Sequence, residues 1–203
     1  MQRVLSQRTR HVTLVLEDIY QSQNASAAVR TCECLGVQDI HMIENTSKYG
    51  INKKVLKGSN KWIDIYRYKE KNTNNTEICF SKLKSQGYKL LVTDPSPDGI
   101  SINNVPVDQK IALIMGNEQE GNSEFAKAHA DLRVFIPMVG FTESLNISVS
   151  AAICLNTLLT KLRSSDVVWK MTEEEKVEIL LQWVRKSVRN SNLLEREFLK
   201  TIE

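Results

Sequence analysis

The chain has 203 residues, 41% of them hydrophobic and 25% charged, with a net charge of +3. That length supports one domain with a sizeable core and no need of disulfide or metal staples, and the mild positive balance admits a nucleic-acid partner without requiring one. No charged-then-apolar leader follows Met1 and no apolar run approaches roughly eighteen residues, so neither secretion nor membrane spanning is expected. The three histidines, at 11, 41 and 129, are scattered. Cys32 and Cys34 alternate within a helical stretch, which sends their sulfurs to different sides, and Cys79 and Cys154 stand alone. No metal site and no disulfide framework is signalled, and a reducing cytoplasm is the expected compartment.

In chain order, MQRVLSQRTR reads as a basic arm or frayed helix, or else simply a solvated terminus. Val12 to Leu16 is a first strand, and a helix over about Ser26 to Leu35 ends at Gly36. QDIHMIE is a second strand. Lys53, Lys54, Lys57 and Lys61 follow around Gly58, before a third strand at Trp62 to Tyr66. Thr76 to Ser85 is a helix stopped by Gly87. YKLLVTD is a fourth strand ending at Thr93, and a loop with proline and aspartate comes next. IALIM, almost wholly apolar, has the pattern of a central parallel strand covered on both faces. GNEQEGN leads into a helix from Ser123 to about Ala130. A sixth strand, Val134 to Ile136, precedes a long helix beginning near Leu145, with Ile147, Ala151, Cys154, Leu155, Leu158 and Leu159 on one face. The alternation predicts an α/β fold, a mostly parallel sheet with helices on both faces. Thr172 to Arg189 is an amphipathic helix with Thr172 as N-cap and Glu175 completing a capping box. Its apolar stripe is expected at Val177, Leu180, Leu181, Val184 and Val188, and its basic end at Arg185, Lys186 and Arg189 either meets phosphate or only complements the helix dipole.

In an open parallel sheet, ligands gather at the carboxyl ends of the strands. Thr93, the loop Gly116 to Gly121 and the stretch Pro137 to Asn146 all fall there. The GNEQEG loop has neither the GK[ST] of a P-loop nor the spacing of GxGxxG, so it suits a less charged ligand held through backbone groups, with Gly116 allowing close approach and Glu118 offering a carboxylate. Ser144 and Asn146 sit at a helix entry, where they either cap the helix or meet a ligand. NASAAVR places Asn24 ahead of small residues and Arg30 beyond them, an arginine suited to gripping phosphate.

Taken together, NASAAVRTCECLGV, ALIMGNEQEG and IPMVGFTESLNISVSAA resemble, in order and spacing, the three motifs of the SpoU/TrmH branch of the SPOUT RNA methyltransferases over about residues 12 to 163. The flanks resemble the branch that methylates a guanosine ribose in the D-loop of tRNA. The resemblance implies an S-adenosylmethionine-dependent 2′-O-methyltransferase with a C-terminal trefoil knot, extra terminal helices and a homodimeric state. It divides the chain into a basic arm (1–11), a methyltransferase domain (12–163) and a helical extension (164–203). It implies a catalytic set of Asn24, Arg30, Glu118, Ser144 and Asn146, with Arg30 serving the other subunit. Thr93, Gly116, Asn117, Ile136, Met138 and Leu145 would hold the cofactor, and Arg8, Arg10, Lys53, Lys54, Lys57, Lys61, Arg185, Lys186 and Arg189 would contact tRNA. A guanidinium is a reluctant base, so Arg30 is expected to dock a phosphate and ease the hydroxyl's ionisation rather than take its proton. Two alternatives remain at this point: a ribose methyltransferase of ribosomal RNA or of a tRNA anticodon nucleotide, and a silent RNA-binding knot protein.

Overall fold

The computed structural model describes residues 1–50, 52–95 and 98–202, so the proline-containing loop expected after the fourth strand lies partly outside the described residues. Among the described residues, seven parallel strands form one sheet. They are β1 (Val12–Glu17), β2 (Asp39–Ile43), β3 (Asp64–Tyr68), β4 (Tyr88–Thr93), β5 (Ile100–Ser101), β6 (Lys110–Met115) and β7 (Leu132–Phe135), in the order β3-β2-β1-β6-β4-β7-β5. The helices are α1 (Gln2–Leu5), α2 (Ser22–Leu35), α3 (Lys53–Leu56), α4 (Asn75–Ser85), α5 (Glu124–His129), α6 (Ile147–Arg163), α7 (Glu173–Ser187) and α8 (Ser191–Ile202). The two-residue β5 escaped the sequence reading because it is too short to show a period. The third strand begins at Asp64 rather than Trp62: Ser59–Lys61 forms a 3-10 turn that Trp62 ends, and its ring packs edge-on against Trp183.

Alternation along the strands sorts the core into two layers. Val12, Leu14, Leu16, Leu113 and Met115 pack with α2 and α6, whereas Val15, Ile114, Leu90 and Val92 pack with Cys79, Phe80 and Leu83 of α4 and with Ala126 of α5. Helices therefore cover both faces, as the apolar β6 implied. The expected face of α6 is buried, from Ile147 through Leu159. Gly36 ends α2 at φ 83, a left-handed position that glycine adopts without strain, and Val37 N–H donates to the Cys32 carbonyl. Cys32 is buried and Cys34 exposed, as alternation on a helix requires.

The chain termini meet in a third apolar cluster of Leu5, Met171, Ile179 and Trp183. Thr172 caps α7 in a full capping box with Glu175. Of the expected stripe on α7, Leu180 packs against this cluster, but Val177, Leu181, Val184 and Val188 are exposed, while Ile179 and Trp183 are buried. Trp183 sets the rotation of the helix, because its ring lies between Trp62 and the Arg8 guanidinium, 5.1 Å from the ring centroid.

Arg8 and Arg10 are not free cations of a basic arm. Arg8 is 1% exposed; it donates to the Val37 carbonyl and to Glu33, and burial lowers its pKa in spite of Glu33. Arg10 reaches Asp39, Asp64 and Glu175, each at 3.2 Å, so one guanidinium ties β2, β3 and the first turn of α7 together. Burial works against the Arg10 charge, but Asp39 and Glu175 overcome it and raise its pKa. Asp39 itself is pushed up to about 6 by burial, with Arg10 opposing.

Candidate active site

Strands β6, β4 and β7 are neighbours, with Val92 level with Ile114 and Thr93 level with Val134, so their carboxyl ends share one rim. Thr93, Gly116 and Ile136 stand on it. Asn117 and Gly121 exchange backbone hydrogen bonds at 3.0 and 3.1 Å, and the Asn117 carboxamide accepts from the Gln119 and Glu120 N–H groups. The loop closes so tightly that a Cβ on Gly116 would overlap the Gly121 carbonyl and the Asn122 nitrogen. The Asn122 amide donates to the Thr93 carbonyl at 2.6 Å and so joins the β6 loop to the end of β4.

A hydrogen-bond relay runs across this rim. Asn146 is the N-cap of α6, and its Oδ1 accepts from Ser148 N–H at 2.9 Å and from the Ser148 hydroxyl at 2.6 Å. A backbone N–H can only donate, so the cap fixes which end of the Asn146 carboxamide is oxygen and leaves Nδ2 to donate. It donates to Asn24 Oδ1 at 3.1 Å, which in turn directs Asn24 Nδ2 onto Glu118 Oε1 at 2.6 Å. The other carboxylate oxygen of Glu118 accepts from Tyr20 N–H at 3.2 Å. The relay therefore runs towards Glu118 in a direction set by the backbone of α6, with Asn24 Nδ2 also donating to Gln21 Oε1 at 3.4 Å. Asn146 therefore caps the helix and also joins the relay through Asn24. Ser144 is exposed and makes no hydrogen bond among the described residues.

Arg30 is not part of this group within one chain. It lies further along α2, exposed, beside a shallow depression lined by Ala27, Thr31, Cys34, Val55, Ala152 and Asn156. Val149 and Ile153 of α6 are also exposed, at spacings that put them on the same side of the helix as Ala152 and Asn156. Met138 and Leu145 are part-exposed on the loop leaving β7, and Val139 and Phe141 are fully exposed. Lys53, Lys54, Lys57 and Lys61 are exposed and free of ion pairs among the described residues, as are Lys186 and Arg189, whereas Arg185 pairs with Glu195.

Sequence reading missed the residues that hold the relay in place. Glu17, 2% exposed at the end of β1, accepts from the Thr76 hydroxyl at 2.6 Å and from the N–H and hydroxyl of Ser123, the N-cap of α5, at 2.9 and 2.8 Å. Asp18 sits at φ 51 and gathers the N–H groups of Asn45, Thr46 and Ser47 on one oxygen. The β1–α2 connection thus grips the Gly116–Asn122 loop from both sides, Glu17 at its exit and Tyr20 and Asn24 at Glu118. Two acids at the carboxyl end of a strand were the available signal.

The parallel fold that carries this polar relay across the ends of β1, β6 and β7 is shared with a class of RNA-modifying enzymes. A family model described as the SpoU rRNA Methylase family matches residues 11–156, and the chain belongs to that family. It is 42% identical over 195 residues to the tRNA (guanosine(18)-2'-O)-methyltransferase of Borreliella burgdorferi, covering 96% of this chain and 87% of that one. It is 29% identical over 152 residues to the enzyme of the same name from Escherichia coli, covering 75% of this chain and 64% of the relative. Among solved structures, the TrmH/SpoU tRNA modifying enzyme of A. aeolicus superposes with a TM-score of 0.81 at 27% identity, over 93% of this chain and 95% of that one.

Proposed function

We propose that the chain methylates the ribose 2′-hydroxyl of guanosine 18 in tRNA, with S-adenosylmethionine as donor. The observation that carries the reading is the relay joining Asn24, Glu118 and Asn146 on three strand ends, in a chain 42% identical over 96% of its length to an enzyme of that name.

The rim suits the cofactor. It offers neutral backbone groups around Gly116, where no side chain has room, and part-exposed apolar side chains at Met138 and Leu145, a surface for an adenosine and a sulfonium rather than for a polyphosphate. Thr93, Gly116, Asn117, Ile136, Met138 and Leu145 would hold it. Bound there, it supplies an electrophilic methyl group for in-line displacement by the ribose oxygen.

What the protein must add is position and proton management. A ribose hydroxyl is a weak nucleophile until its lone pair is aimed and its proton is drawn away. The relay holds Glu118 by both oxygens and presents Asn24 and Asn146 as fixed dipoles, so none of these groups reorganises as the oxygen attacks. Ser144, free of internal partners among the described residues, is available to the ribose. Arg30 stands outside the relay of its own chain, which accords with service to a second copy. In a homodimer built on the Arg30, Ala152 and Asn156 face, each copy would lend its guanidinium to the other's site, docking the adjacent phosphate and lowering the hydroxyl's pKa so that its proton passes to solvent as the methyl is transferred. The loops around β4, β6 and β7 would be threaded as a trefoil knot. Lys53, Lys54, Lys57, Lys61, Lys186 and Arg189 would steer the tRNA backbone, in a cytoplasmic setting. The division into a methyltransferase domain over 12–163 and a helical extension over 164–203 belongs to the same proposal.

Subunit complementation tests the reading. Arg30→Ala and Asn146→Ala are each expected to abolish methyl transfer to unmodified tRNA. When the two variants are unfolded, mixed and refolded, half of the dimers should be mixed, each with one intact site, recovering about a quarter of wild-type activity by that statistical argument. No recovery in verified mixed dimers overturns the shared site. A wild-type protein that places no methyl group on guanosine 18 overturns the assignment itself.

A further inference from the structure

Tyr20 has no part in the reaction described above, yet its backbone touches the relay. The side chain is 74% exposed, while Ile19 before it is buried and the Tyr20 N–H is bonded to Glu118 Oε2 at 3.2 Å. Asp18, pinned to three backbone N–H groups, holds the chain on the other side. A broad, largely apolar ring therefore projects into solvent from fixed backbone beside Glu118, and with two side-chain torsions it loses little freedom when something covers it.

The surroundings narrow what that is. Gly50 packs against Ser22, with a built Cβ only 3.1 Å from the Ser22 Cβ, and Asn52 N–H donates to the Ser26 hydroxyl at 3.0 Å. Lys48, Lys53 and Lys54 accordingly flank the first turns of α2, exposed and without ion pairs among the described residues. An uncovered π face with free ammonium groups nearby is what an unpaired nucleic-acid strand requires: a ring for a base and cations for its phosphates.

We infer that Tyr20 is a stacking platform for a nucleobase of the tRNA strand entering the site, and that this contact supplies tRNA affinity beside Glu118, Asn24 and Asn146. The inference deepens the function proposed above and rests on it. Tyr20 is a tRNA-binding residue: it holds the substrate strand and touches neither the cofactor nor the reacting atoms.

The test compares wild type with Tyr20→Leu, which keeps apolar bulk without a π face, and with Tyr20→Phe. Read together are KM and kcat for tRNA methylation, S-adenosylmethionine affinity by calorimetry, and the thermal midpoint. Tyr20→Leu is expected to raise the KM for tRNA about 5- to 150-fold, the range for loss of one base–aromatic stack. Its kcat, cofactor affinity and thermal midpoint should stay near wild type, and Tyr20→Phe should recover most of the loss. Wild-type KM in Tyr20→Leu overturns the inference, as does a Phe variant as impaired as the Leu variant, or a cofactor affinity that falls in step. If the wild type proves unable to methylate tRNA, the enzymatic reading fails separately. Direct tRNA binding without cofactor then decides the platform, and equal affinity in wild type and Tyr20→Leu rejects it.

Discussion

Replacing Asn24 with aspartate tests the relay at its middle. The change keeps the shape of the side chain but turns the donor facing Glu118, at 2.6 Å, into a second carboxylate. Loss of a charge-assisted hydrogen bond costs about 1.5–3 kcal/mol. Two carboxylates relaxing to roughly 4 Å apart add about 1–4 kcal/mol, depending on local polarity. Glu118 is exposed, so the lower part of that range applies. A total of about 3–4 kcal/mol corresponds to a rate loss of roughly 10²- to 10³-fold if the relay is needed in the transition state. Asn24→Ala removes the bond without adding charge and should lose about 10- to 150-fold. The distinguishing feature is pH. As pH falls, the paired carboxyls of Asn24→Asp share a proton, an O–H takes the place of the lost N–H donor, and the deficit relative to wild type narrows. The Ala variant has no such route. Single-turnover methylation from pH 5.5 to 8.5, each variant expressed as a ratio to wild type, reads this directly. Parallel Asp and Ala profiles would refute the relay's donor direction, and wild-type rates in either variant would refute its participation.

Gly116→Ala should abolish S-adenosylmethionine binding by calorimetry, because the added methyl meets the backbone of Gly121 and Asn122 and the loop must open; retained affinity would show that the loop's closure is not needed to bind the cofactor. Arg10→Met leaves Asp39, Asp64 and Glu175 without their common cation and should cost about 3 kcal/mol in urea denaturation, whereas a loss below about 1 kcal/mol would mean that solvent already screens the cluster. His41, 2% exposed, is pushed down to about 3 by burial, with Lys82 adding to it, so acid favours the unfolded chain, where the imidazole protonates near its ordinary value. Stability from this residue is whole above about pH 6.5 and is lost as pH falls towards 3, by about 2 kcal/mol at pH 5. Asp39, raised to about 6, works in the opposite sense and is destabilising above that pH. In an Asp39→Asn background, where that opposing contribution is gone, the loss between pH 7 and 5 should steepen, as chemical denaturation at the two pH values would show.

Strands β1, β2, β4 and β6 were readable because each is a short stretch buried almost continuously on both faces, and the buried face of α6 because its apolar residues recur at helical spacing. The face of α7 was not. Residues 177, 180, 181, 184 and 188 and residues 176, 179, 180 and 183 both satisfy helical spacing, and only the presence of Trp62, Leu5 and Arg8 on the opposing surface selects the second. The same blindness to distant partners made Arg8 and Arg10 look like surface charge. In the site, Asn24, Glu118 and Asn146 stood out by position, but the bonds among them join residues more than ninety apart in sequence, and the polarity of the relay depends on a cap whose geometry no local pattern encodes. Glu17 was hidden for the same reason, since Thr76 and Ser123 come to it from separate helices.

The placement of Arg8 constrains the order in which this protein acquires its structure. The side chain leaves the ribosome long before Trp183, the ring its guanidinium covers. Thr9 bridges Val37 on one side and Lys170 on the other, and its hydroxyl donates to the Trp169 carbonyl. Until those partners exist, a cation and a strip of backbone wait without shelter, and the closing contacts are of the long-separation kind that forms slowly. Removing residues beyond Met171 would therefore expose the beginning of the chain as well as shorten its end.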